Sequence, residues 1–137
     1  MAGGAKSMML IPQELEGFDV SDAVARMLDR PELWWQAVGF FVHHFSGWES
    51  AWREVCGNDQ AERRCVHAIR SAAANVGAMR LAALAERLEK ILLQRIAGED
   101  VSVPADLRAD LATAFSAAWK SADAAWREAG CELPDPS

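Results

Sequence analysis

Between Pro31 and Val55 the chain places large apolar residues at Trp34, Val38, Phe41, Phe45, Trp48, Trp52 and Val55. Steps of three and four are the period of an α-helix, about 3.6 residues per turn, not the alternation of a strand. A stripe this heavy has to be covered, so the segment must pack against other helices, and Pro31 suits its first turn. The period returns in Leu81, Leu84, Leu88, Ile91 and Leu92, running to about Ile96. After a loop from Gly98 to Val103, Pro104 opens a last helix with Leu107, Leu111, Phe115, Ala118, Ala122 and Ala125 on one side. Gly57 and Asn58 end the first long helix, and Asp59 is placed to cap the next, whose apolar stripe is Ala61, Cys65, Ile69, Ala72 and Val76. Ahead of these, Ser21 is expected to cap a short helix reaching Leu28, with Val24, Ala25 and Leu28 facing inward. Four long amphipathic segments on short connections predict an all-α fold, an antiparallel up-down four-helix bundle with a short additional N-terminal helix.

The length of 137 residues suits one domain. The expected layout is a flexible N-terminal arm over 1–10, the helical bundle over 11–130, and a C-terminal tail over 131–137. A net charge of −6 argues against nucleic acid or an anionic membrane as the main partner. No apolar run reaches the roughly 18 residues a membrane-spanning helix needs, and no signal peptide is evident, so a cytoplasmic protein without direct membrane contact is expected. Cys56, Cys65 and Cys131 lack metal-ligand spacing, and His43 and His44 point about 100° apart on a helix, so no metal site is expected. Most of the six tryptophans read as core. Trp35, Phe40 and Val42 fall on the flanks of their stripe, where they either cover a neighbouring helix or form an apolar docking patch.

One residue does not fit a purely structural account. On the helix before Gly77, His67 lies roughly opposite the apolar stripe and is expected to face water. Within about 60° of it lie Gln60, Arg63, Arg64, Arg70, Ser71 and Ala74. Three guanidinium groups suit an anion, and small side chains one turn on leave room for a partner. With cations beside the ring and no acid apparent, protonation is disfavoured and the imidazole is expected to stay neutral and nucleophilic. Gly77 itself marks a joint or a close backbone approach.

The run His67-Ala-Ile-Arg-Ser-Ala-Ala-Ala-Asn-Val-Gly77-Ala, followed by Leu81, Leu84, Leu88 and Glu89, resembles the signature of histidine phosphotransfer (HPt) domains. Two positions depart from it: Arg70 stands where the family usually has Lys, and Ser71 where it usually has Gly. The resemblance implies that His67 accepts a phosphoryl group from a receiver aspartate and passes it to another receiver. Arg70, with Arg63 or Arg64, would then hold the phosphoryl oxygens. It implies as partners response-regulator receiver domains and a hybrid sensor histidine kinase, and a monomeric phosphocarrier rather than an enzyme. No cofactor of its own is implied, the Mg²⁺ being supplied by the receiver. The alternative is an HPt-like bundle acting as a non-transferring protein-interaction module, for which Ser71 is the motivating residue.

Overall fold

The computed structural model describes residues 11–130, so the proposed arm over 1–10 and tail over 131–137 lie outside the described residues. Six helices follow in order: α1 (Val20–Arg26), α2 (Pro31–His44), α3 (Trp48–Val55), α4 (Asp59–Val76), α5 (Met79–Ile96) and α6 (Ala105–Glu128). No strand occurs among the described residues.

The stripe from Trp34 to Trp52 is buried as expected, but the rod that carries it is broken after His44. Phe45 caps α2, and α3 restarts beyond Gly47. The indoles on α2 and α3 then tie these helices to α4. Trp34 Nε1 donates to the Val76 carbonyl at 2.9 Å, Trp48 Nε1 to the Cys65 carbonyl at 2.9 Å, and Trp52 Nε1 to Glu62 at 3.0 Å. Partners that descend along α4 as donors ascend along α2 and α3 make the two runs antiparallel. Trp119 Nε1 on α6 likewise donates to the Val42 carbonyl at 2.9 Å. Each of these four indoles therefore packs a large apolar face with its one donor satisfied, whereas Trp35 Nε1 is buried without a partner.

Gly39 does not merely sit off the stripe. It is buried, and a β-carbon there would fall inside the Trp126 ring, so glycine is what lets α6 approach α2. Trp126 also lies 5.0 Å from Trp35, which is buried along with Val42. The flank residues of α2 are thus mostly covered by α6, and Phe40 alone of those three remains exposed.

Expectations for α1 and α4 are corrected. The short helix is capped by Asp19, whose carboxylate accepts from the Asp22 N–H, rather than by Ser21; its buried residues are Val20 and Ala23. Leu28 lies beyond that helix at 79% exposure, and it and Asp29 take left-handed φ values of 63° and 57° that turn the chain toward α2. On α4 the buried face is Glu62, Val66, Ile69, Ala73 and Val76, rotated by about 60° from the stripe read through Ala61 and Cys65. Asn58, not Asp59, is its N-cap and accepts from the Ala61 N–H.

Glu62 explains the rotation. It is fully buried, and Arg108 on α6 grips it with two hydrogen bonds of 2.8 and 2.7 Å alongside the Trp52 indole. Burial is the largest influence on the carboxyl and pushes its pKa up, but the bonds from Arg108 and Trp52 and the Arg108 charge outweigh it, and the net shift is downward. A carboxyl depressed in the folded state contributes stability above its ordinary pKa of about 4.3 and loses that contribution as pH falls below it. Glu62→Gln is expected to cost about 1–3 kcal/mol at pH 7 and to flatten the acid limb of stability against pH. Urea unfolding of both proteins between pH 7 and pH 3 checks this. Similarly, Gly39→Ala is expected to lower stability by about 1–3 kcal/mol by displacing Trp126, read as a lower urea midpoint than that of Gly47→Ala, which meets open space.

Candidate functional site

Helix α4 ends in a left-handed glycine. Gly77 has φ 90°, its N–H donates to the Ala74 and Ala73 carbonyls, and the Ala78 N–H donates to the Ala73 carbonyl at 2.8 Å, the pattern that closes a helix by a Schellman turn. The space is as restrictive as the torsion, because a β-carbon at Gly77 would lie 2.7 Å from the Asp19 carbonyl oxygen. Both halves of the sequence expectation for Gly77, joint and close approach, hold. After it α5 folds back along α4, with Asp59 near the start of one helix paired at 3.0 Å to Arg95 near the end of the other.

That register brings Glu89 to His67. His67 Nδ1 lies 2.8 Å from Glu89 Oε2, and the carboxylate is buried on α5 while 46% of the His67 side chain is exposed. Arg70 Nε lies 2.8 Å from Glu89 Oε1 and Arg63 Nε 3.6 Å from Oε2. The Arg70 N–H is not aimed at the oxygen, so this contact is an ion pair without a hydrogen bond. The imidazole therefore does have an acid beside it, contrary to the expectation of arginines alone. The sequence placed Glu89 at the end of a signature without a role, 22 residues from His67. A signal was present, since Glu89 stands on the same helical stripe as Ala85, Leu88 and Leu92.

The arginines divide by direction around α4. Arg63 and Arg70 lean toward α5 and are engaged by Glu89, whereas Arg64 is exposed on the other flank and forms no ion pair among the described residues. Ser71 is exposed on that same flank and, with Ala68, Ala72, Asn75 and Val76 of α4, lines a groove of about 550 Å³. Its opposite wall comes from Ala37, Phe40, Phe41 and Phe45. Ala74 is half-buried, and its carbonyl accepts from Arg26 Nη2 on α1 at 2.9 Å; Gln60 is exposed nearer the start of α4. Asn75 and the α2 wall are the parts of the surroundings that the spacing along α4 did not indicate.

A carboxylate only accepts hydrogen bonds, so the proton of the neutral ring is held at Nδ1 and the lone pair is left at Nε2. The half-exposed ring thus offers a nucleophilic nitrogen on the edge away from Glu89. Among the described residues no three His, Cys, Asp or Glu side chains gather in a way that would hold a metal ion, and no helix is long and apolar enough to cross a membrane. Glu89→Ala is expected to release the tautomer: ¹⁵N shifts of His67 in the neutral ring should move from the Nδ1–H pattern toward a mixture. Unchanged shifts would show that Glu89 does not set it.

A family model described as the Hpt domain matches residues 44–121, more than half of the chain. No curated protein and no solved structure matches it.

Proposed function

The chain belongs to the Hpt domain family, and on that premise we propose that His67 is the phosphoacceptor of a multistep phosphorelay. The observation that carries this is the pairing of one ring nitrogen with a buried carboxylate while the other edge of the same ring stays open. Nε2 attacks the phosphorus of a receiver's aspartyl phosphate; the P–N bond forms as the P–O bond breaks, and the aspartate leaves as a carboxylate on the receiver. No proton need leave His67, since the attacking nitrogen is unprotonated. The ring becomes positively charged as it takes the phosphoryl group, and Glu89 at Nδ1 stabilises that charge. The reverse step, on a second receiver's aspartate, discharges it.

Phosphoryl transfer is mostly positioning and charge neutralisation, and the receiver brings the acidic pocket and its Mg²⁺. The chain is accordingly a phosphocarrier whose partners are receiver domains and a hybrid sensor histidine kinase, acting as a monomer in the cytoplasm. Arg64 is the cation beside His67 that is free to meet the phosphoryl oxygens, while Arg70 and Arg63 first have to turn from Glu89. The fold that presents the site is best described as an up-down four-helix bundle in which α2 and α3 together form one broken rod beside α4, α5 and α6. Ser71, the residue that motivates the non-transferring alternative, is exposed and lines the groove between α2 and α4.

Incubation with purified receivers, labelled on their aspartate, in Mg²⁺ tests the reading. Wild type is expected to take up acid-labile label. His67→Gln should take none at unchanged helix content, and Glu89→Gln should slow transfer on the order of a hundredfold by loosening the ring. Absence of label on wild type with every receiver tried would leave the interaction-module reading in its place.

A further inference from the structure

The groove between α2 and α4 shares Ser71 with the cluster around His67, and Ala68 follows His67 directly, so it begins within one turn of the reactive ring. Its far wall contains Phe40, the one aromatic among the large apolar side chains that stay exposed in the described residues, at 56%. That ring is not loose. It stacks on the His44 imidazole one turn on, with centroids 4.7 Å apart and planes 15° apart. His44 in turn meets Phe45 edge-on, at 5.1 Å and 72°. Phe45 is buried and lies 5.9 Å from Phe41 in the core. Three rings therefore lead outward from the core and hold Phe40 at the surface. A side chain ordered in advance loses less entropy when a partner covers it.

We propose that Phe40, propped by His44, is the aromatic anchor on which the receiver domain seats when it presents its aspartyl phosphate to His67. The proposal rests on the phosphocarrier reading. The occupant follows from continuity: a specific interface covers about 800 Å² of each partner, so a protein that reaches His67 also covers a groove starting one turn away. The alanines at 37, 68 and 72 keep the groove open to a projecting apolar side chain, and Arg64 on the adjoining flank suits the acidic rim of a phosphate-bearing pocket. Ala37 and Phe40 lie ahead of the matched segment 44–121, and His44 is its first residue. Phe40 is the docking residue; His44 acts through it, as a positioning residue.

The test uses the full chain with the receiver that exchanges phosphate with it fastest, following transfer as a function of chain concentration. Phe40→Ala is expected to raise KM about tenfold or more with kcat within about twofold, because an anchor contributes to docking and not to the chemical step. His44→Ala should raise KM about threefold, and His44→Phe, which restores a stacking ring, should bring it back. Phosphorylation of His67 by phosphoramidate, a small donor that needs no docking, should proceed at the wild-type rate in all three. An unchanged KM for Phe40→Ala overturns the anchor, and so does an equal loss of phosphoramidate reactivity, which would place the effect at His67 itself. A wild-type chain that reacts with neither donor instead removes the phosphocarrier reading on which the anchor rests.

Discussion

The reversal at Gly77 sets how α5 lies against α4, and that register decides which side chain His67 meets. A left-handed residue is required there, and the Asp19 carbonyl leaves no room for a β-carbon. The N-terminal segment completes the joint: the Asp19 N–H donates to the Gly77 carbonyl at 2.8 Å, and Arg26 donates to that of Ala74. Carbonyls that the end of a helix leaves without partners are thus satisfied by residues that precede the matched family segment. Shift α5 by one residue and Glu89 rotates by about 100° away from the imidazole.

Among the described residues two carboxylates are buried, and they are used in different ways. Glu62 accepts from Arg108, Trp52 and the Cys56 thiol, so its charge holds α3, α4 and α6 together. Glu89 is shared between two arginines and an imidazole that is half in solvent. A carboxylate bound by a buried indole and a two-pronged guanidinium ties helices together. One whose partner is an exposed ring polarises that ring toward whatever approaches. The cations around His67 therefore do not act simply as a repulsive field on its proton, since two of the three are balanced by the same acid that holds Nδ1.

Much of this was readable in advance. The stripe from Trp34 to Trp52 on α2 and α3, the residues Leu81, Leu84, Leu88 and Leu92 on α5, and the row Leu107, Leu111 and Phe115 on α6 are buried where periodicity put them. His67 faces outward, and its neighbours on α4 are those counted at 100° per residue. The two misplaced acids share one cause. Hydropathy counts an acid as outward-facing, so Glu62 was left off the α4 stripe and Glu89 was given no partner, although both occupy positions that continue an apolar row. The need for glycine at position 39 was not legible along the chain, because the Trp126 ring that fills its place lies 126 − 39 = 87 residues away.

Spacing along the chain sufficed to place most of the helical segments, the inward faces of α2, α3, α5 and α6, and the outward position of His67, because each of these depends on neighbours within a turn or two of the same helix. The carboxylate that orients the ring, the sharing-out of the arginines, and the aromatic wall across the groove come from other helices. Those belong to the tertiary structure, because the packing of α2 and α5 against α4 depends on a glycine joint and on buried ion pairs that no single helix contains.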